Sequence, residues 1–208
     1  MDIKRIGVLV SGGGTNLQSI IDAAVAGTIG AEIGVVISNR PDAYALERAT
    51  RHGITTRVID HHQFSSVTAF TRAILDAMRE SRIDLICLAG FMRILDPLLI
   101  EAYPGRILNI HPALLPAFGG RGMYGLHVHK AVLDSGARFS GATVHLVTAE
   151  TDVGPIVTQD VVAVADDDTP ETLAAKVLQI EHRIYPEAIR LIVRDQVIVD
   201  GLRVRRKT

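Results

Sequence analysis

The sequence predicts an α/β fold: an open, mostly parallel sheet flanked by helices, Rossmann-like in its alternation, with an antiparallel C-terminal extension. Three observations predict it. Short aliphatic runs alternate with segments of helical periodicity as far as residue 111, and a glycine-rich turn follows the first run. The interior is aliphatic, since 48% of residues are apolar but only 4% are aromatic and none is Trp. Continuous Val, Ile and Leu runs are what a parallel sheet covered on both faces requires.

Taken in order, Arg5 to Val10 reads as a strand, and Leu17, Ile20, Ile21, Ala24 and Val25 form the apolar stripe of a helix ended by Gly27. Ile33 to Ile37 is a second strand, Asp42 to His52 a helix closed by Gly53, and Thr56 to Ile59 a third strand. An amphipathic helix spans Ser65 to Ser81, followed by a strand from Leu85 to Ala89. A short helix from Pro97 to Tyr103 leads into the strand Arg106 to Ile110. Right-handed crossovers between such units give a parallel sheet with helices on both sides.

After residue 112 the texture changes. Pro112 to Gly125 is rich in Gly and Pro, and a helix follows near Val128 to Asp134. The strands Ala142 to Val147 and Ile156 to Val164, joined by a turn at Thr151 to Pro155, predict an antiparallel pair. Thr169-Pro170-Glu171 starts a helix, with a hydroxyl N-cap, proline at the first position and an acid in the first turn, and it runs to about Arg194. A last hairpin turns at Asp200-Gly201.

The 208 residues predict one domain, 1-208, with a phosphate-binding half at 1-111 and a catalytic-loop half at 112-208. The formal net charge of −1 gives no global attraction for nucleic acid or an anionic membrane, and the basic end Arg203 to Lys207 reads as a solvated terminus. Cys87 is the only cysteine and lies in an apolar run, so it reads as a small buried hydrophobe. With no signal pattern at the N-terminus and no run approaching a membrane span, a cytoplasmic protein is expected. Oligomeric state is left open, a homodimer being one option.

Asn109-Ile110-His111-Pro112 closes the fifth strand. Side chains at i and i+2 of a strand share a face, so a carboxamide and an imidazole are aimed at one place, where both can donate to an oxygen that gains negative charge. The plainer alternative is a turn residue beside a solvated histidine. A second signal is Ser11-Gly12-Gly13-Gly14-Thr15-Asn16, where glycines between strand and helix let the backbone approach an anion. The third glycine of a dinucleotide turn is missing, because Leu17 stands there. Ser38-Asn39-Arg40 replaces the ribose-binding acid, and no Gly-Lys-Ser/Thr ending follows. A single phosphate monoester fits, and a tight turn with no ligand is the alternative.

Asp152, in the turn before Gly154-Pro155, can reach a histidine at another strand end, or is an ordinary turn residue. The pairs His127-x-His129 and His61-His62 lack ligand spacing with a third donor and read as exposed polar residues, so no metal is expected. Asp166-Asp167-Asp168 reads as solvated and capping.

Several segments resemble a known family. They are Val8 to Leu17, Leu88-Ala-Gly-Phe-Met-Arg-Ile-Leu95, Leu108-Asn-Ile-His-Pro-Ala-Leu-Leu-Pro116, Gly141-Ala-Thr-Val-His145, Asp152-Val-Gly-Pro155 and Glu181-His182-x-x-Tyr185-Pro186. Together, in order and over nearly the whole chain, they resemble the phosphoribosylglycinamide formyltransferases, the glycinamide ribonucleotide transformylases within the formyltetrahydrofolate-dependent formyltransferase family. The resemblance implies a catalytic trio of Asn109, His111 and Asp152. It implies that Gly12, Gly13, Gly14, Thr15 and Asn16 hold the substrate phosphate, and that Glu181 binds the ribose end. The folate would lie against Met92, Arg93, Ile94, Leu95, Val147, Thr148 and Asn109, with Thr143 and His145 lining the cleft. The loop Phe118 to Gly125 is longer than in many members, which leaves its contacts, including those of Arg121, open.

The activity so implied moves a formyl group from 10-formyltetrahydrofolate to the amine of glycinamide ribonucleotide, in de novo purine synthesis. Its tetrahedral oxyanion would be met by Asn109 and a protonated His111, with Asp152 favouring that protonated form. The final proton acceptor, His111 or a water held by Asp152, stays open. Two other functions are weighed. A hydrolase releasing formate from the same folate would use the same trio, although its relatives carry an N-terminal regulatory domain for which this chain has no room. A non-enzymatic sensor of a phosphate ligand would need only the glycine turn.

Overall fold

The structure, a computed structural model, describes residues 4–207. Seven strands form the main sheet: β1 (Arg5–Val10), β2 (Glu32–Ser38), β3 (Thr56–Val58), β4 (Leu85–Leu88), β5 (Ile107–His111), β6 (Phe139–Leu146) and β7 (Ile156–Ala163). Their order is β3-β2-β1-β4-β5-β6-β7. The first five run parallel, and β6 and β7 add antiparallel pairs, as expected from the hairpin-like turn between them. The chain builds outward from β1 to β3 and then crosses back to β4 on the other side of β1. The connections after β1 and β4 therefore leave in opposite directions and open a crevice at the carboxyl ends of these strands.

Helices α1 (Thr15–Val25), α2 (Tyr44–Arg51), α3 (Val67–Glu80), α4 (Pro97–Ala102), α5 (Leu126–Asp134) and α6 (Pro170–Val193) cover the sheet. Although the strands read as continuous apolar runs, their side chains still alternate between faces. Ile6, Val8 and Val10 pack into one core with Leu17 of α1 and Val177 of α6, whereas Leu9, Val35 and Ile37 pack into the other with Ile74 of α3 and Leu99 of α4. A separate hairpin, β8 (Val197–Asp200) with β9 (Arg203–Arg206), forms a two-stranded sheet. The basic end is thus a strand whose Arg206 pairs with Glu187, and Lys207 beyond it pairs with Asp195.

The helix starts shift for local reasons. Asp42 is held by Arg40 in the preceding turn at 2.7 and 3.0 Å, so α2 begins at Tyr44 and not at Asp42. Ser66 caps α3 by accepting from Ala69 N–H at 3.1 Å. Thr169 caps α6 in a reciprocal box with Thr172, with Pro170 at the first helical position as expected. The His61-His62 turn is a short 3-10 segment, His61–Gln63, whose N-cap is Asp60. Cys87 is fully buried and its thiol is pushed up to about 12 by burial, consistent with an inert core residue. Among the described residues no helix is long and apolar enough to cross a membrane.

Candidate active site

On β5, Leu108 and Ile110 enter the core formed with α1 and α6, which turns Ile107, Asn109 and His111 to the opposite face. Antiparallel pairing places Asn109 opposite His145 and His111 opposite Thr143, so all four side chains share that face. Loops after β5 and β6 reach this end of the face, with Phe118 and Gly120 from one and Asp152 from the other.

The Asn109 carboxamide lies 3.1 Å from Nε2 of His145, whose Nδ1 lies 3.1 Å from the carbonyl of Leu146. A carbonyl can only accept, so the tautomer that satisfies both partners carries its proton on Nδ1 and accepts from Asn109 at Nε2. His111 donates from Nε2 to the Phe118 carbonyl at 2.8 Å. Its Nδ1, the nitrogen left to titrate, faces Asp152 Oδ2 at 3.6 Å. Asp152 sits in the left-handed region at φ 59, accepts from Gly120 N–H at 2.9 Å, and brings its other oxygen to 3.6 Å from His145. Close approach needs Gly119, where an added Cβ would stand 2.6 Å from Leu115 and 3.2 Å from Asp152.

Burial pushes Asp152 upward, but His145, the Gly120 N–H and His111 together outweigh it and hold the carboxyl below its ordinary value. For His111 the balance goes the other way. Burial lowers the ring, and Asp152 and the Phe118 carbonyl oppose this without reversing it. Asp152 thus pushes His111 toward its protonated form as expected, but desolvation of the buried ring is the larger effect and keeps the pKa below the ordinary histidine value.

The glycine turn after β1 leads into α1 with Gly14 as N-cap at φ 71, ψ 33 and no side chain capping the first turn. Gly12, Gly13 and Thr15 are exposed, and an added Cβ would meet nothing within 4 Å at Gly12 or Gly13, so the turn borders open space. Asn16 is buried and donates from Nδ2 to Glu181 at 2.5 Å, while its Oδ1 finds no partner among the described residues. Glu181 is held in place by α6, whose Tyr185, one turn on, lies 3.0 and 3.2 Å from the carbonyls of Leu88 and Leu108.

After β4, Met92 and Ile94 expose apolar side chains, 48% and 74% accessible, beside the exposed Arg93 and half-buried Leu95. Val147 and Thr148 are half-buried at the end of β6. Ser11 joins the two sides of the crevice, accepting from Met92 N–H at 2.8 Å and donating to Asn39 at 2.6 Å. Thr143 is completely buried. Its hydroxyl donates to Ala113 O and accepts from Leu115 N–H and Gln159, so it holds the loop beneath the cleft and does not line it.

Two histidine expectations change. His127 is exposed, but His129 is buried, with Nδ1 unpartnered among the described residues and its pKa lowered by burial and by nearby His111. Asp60 supplies the third donor that the His61-His62 pair was expected to lack, the three ligand atoms lying within 4.8 Å of one another in one part-exposed turn. Sequence reasoning missed the Phe118 carbonyl, the Gly120 N–H, the Ser11–Asn39 link and Gln159. Only Ser11 and Asn39, polar residues ending two adjacent apolar strands, carried a signal.

An uncapped glycine turn after β1, together with an amide, an imidazole and a carboxylate gathered at the end of β5 in an open sheet, is an arrangement suited to an enzyme of acyl-group transfer. The sequence matches the family described as Formyl transferase over residues 4–189, and the chain belongs to that family. Among its relatives is the chloroplastic phosphoribosylglycinamide formyltransferase of Arabidopsis thaliana, 40% identical over 195 residues, covering 93% of this chain and 67% of that protein. The trifunctional purine biosynthetic protein adenosine-3 of Gallus gallus is 45% identical over 94% of this chain, which spans only 19% of that longer protein. The crystal structure of glycinamide ribonucleotide transformylase 1 from Symbiobacterium toebii superposes with a TM-score of 0.93 at 47% identity, covering 98% of this chain and 94% of that one.

Proposed function

We propose that the protein transfers the formyl group of 10-formyltetrahydrofolate to the amine of glycinamide ribonucleotide, giving formylglycinamide ribonucleotide and tetrahydrofolate in de novo purine biosynthesis. The observation that carries this reading is the convergence of Asn109, His111 and Asp152 at the carboxyl end of β5, with an uncapped glycine turn at the end of β1. The ribonucleotide phosphate sits on the turn from Gly12 to Asn16, and Glu181 meets the ribose. The exposed apolar side chains of Met92 and Ile94 give the folate ring system a surface to cover. Residues 1–111 contribute most of the phosphate side and 112–208 the catalytic loops, and the Asn16–Glu181 bond ties the two together.

The neutral amine attacks the formyl carbon, forming a carbon–nitrogen bond and placing the carbonyl electrons on oxygen. Asn109 donates to that oxyanion. The neutral His111 takes up charge as the amine loses a proton, and the resulting imidazolium, with Asp152 beside it, stabilises the oxyanion. Collapse breaks the bond to the folate nitrogen, which leaves with the proton that His111 gives up, returning the ring to its neutral form. The developing charge is met by hydrogen bonds, so the chemistry calls for no metal. A buried free thiol at Cys87 accords with a reducing compartment, and the cytoplasm is the one proposed.

The test supplies 10-formyltetrahydrofolate with and without glycinamide ribonucleotide and follows deformylated folate. Turnover that depends on the ribonucleotide is expected. Formate release without it would establish a hydrolase, and no turnover together with phosphate binding would establish a sensor.

A further inference from the structure

The phosphate turn is splinted from outside by α2. The carbonyl of Gly12 accepts from Ala45 N–H at 3.0 Å, and that of Gly13 accepts from Arg48 Nε at 2.8 Å. In a trans peptide the carbonyl of one residue and the N–H of the next point in opposite directions. Two carbonyls drawn toward α2 therefore aim the N–H groups of Gly13 and Gly14 away from it, and the left-handed Gly14 continues them into the uncapped start of α1. There is no slack at this joint, since a Cβ on Gly14 would meet that of Ala45 at 2.6 Å.

Any residue at position 45 supplies its backbone N–H, but the bond to Gly13 depends on one side chain. Arg48 is itself fixed: Nη1 donates to Gln18 of α1 at 3.2 Å, and the guanidinium lies 5.0 Å from the centre of the Tyr44 ring. Its planar fork thus bridges α2, the turn and α1 with a positive charge against the turn.

We propose that Arg48 is the positioning residue of the phosphate site, orienting the turn through Gly13 so that the enzyme distinguishes a phosphorylated substrate from its phosphate-free counterpart. This deepens the functional reading above and rests on it. A side chain that only stabilised the fold would affect both substrates alike.

The experiment compares wild type, Arg48→Met and Arg48→Lys on glycinamide ribonucleotide and on the riboside that lacks the phosphate. With Met, which keeps an unbranched stem but removes the guanidinium, KM for the ribonucleotide should rise about tenfold or more, as for loss of a charge-assisted hydrogen bond, with kcat nearly kept. On the riboside the variant should match wild type. Lys keeps the charge but not the fork and should remain impaired. An unchanged ribonucleotide KM, an equal loss on both substrates, or full rescue by Lys would overturn the proposal. Calorimetric titration with ribose 5-phosphate separates it from the functional reading. If wild type transfers no formyl group, that reading falls, yet Arg48 is still judged by whether the Met variant binds this phosphate more weakly; equal binding, or none by either protein, overturns it.

Discussion

Asn109 donates to Nε2 of His145 across the β5–β6 pair at 3.1 Å, and this bond decides which way the carboxamide faces. One amide hydrogen and the carbonyl oxygen of Asn109 have no partner among the described residues, and the Leu146 carbonyl fixes the ring that orients them. His145→Ala should therefore lower kcat by about tenfold or more with little change in the ribonucleotide KM. Asn109→Ala should cost on the order of a hundredfold, the loss typical of an oxyanion donor. His145 also lies 3.6 Å from Asp152, so a double variant no slower than Asn109→Ala alone would assign the His145 effect to the amide and not to the carboxylate. Steady-state kinetics decide it, and additive losses would refute the shared role.

Asp152→Asn isolates charge from shape. The amide oxygen can still accept from Gly120 N–H, so the loop keeps its anchor. His111 loses the group that opposes its desolvation, so the pKa of its ring should fall further below the ordinary value. Activity should drop on the order of a hundredfold. Ring proton shifts followed through a pH titration measure the first effect. An unchanged His111 pKa would show that 3.6 Å is too far for useful coupling in this site.

Strands, crossovers and the Asn109/His111 face were legible because period-2 patterning is a local property, and a residue two positions along must share its face. Asp152 was legible as a turn residue able to reach a histidine, but not which histidine, since its partners His111 and His145 lie on other strands. The contacts that set the chemistry of His111 come from backbone atoms of Phe118 and Gly120, and any sequence has such atoms. His129 was misread because the face a helix buries depends on what it packs against. Position 127 looks outward and position 129 inward, although both are histidines in a polar-looking segment.

That burial has a consequence for pH. His111, His129 and His182 are all held below the ordinary histidine value, with burial the first cause in each. Below about pH 6.5 the unfolded chain binds more protons than the fold. Stability is therefore complete above that value and is lost as pH falls toward the depressed folded values. Asp152, also depressed, contributes in a separate window below the ordinary carboxylate value. Denaturant unfolding should show stability falling from pH 7.5 to 5.5, by at most about 1.4 kcal/mol per pH unit for each proton. His129→Leu should flatten that slope, and an unaltered slope would mean His129 titrates normally.

Glu181 poses the opposite case. Its carboxyl is nine-tenths buried and is pushed up by burial against a single bond from Asn16. An acid raised in the fold destabilises progressively as pH rises from its unfolded value to its folded one, and the full cost persists above. Glu181→Gln keeps an oxygen for Asn16 and removes the buried charge, so the variant should melt higher at neutral pH, by about 2–4 °C for each kcal/mol regained. If the carboxylate serves to accept from ribose hydroxyls, the same change should raise the ribonucleotide KM by about tenfold, because a charged acceptor binds a hydroxyl more strongly than an amide does. A higher melting temperature with an unchanged KM would separate Glu181 from the ligand. A lower melting temperature would make the Asn16–Glu181 pair a structural tie between α1 and α6. Only the combination of a more stable protein and a weaker substrate complex identifies a carboxylate kept for recognition at the expense of the fold.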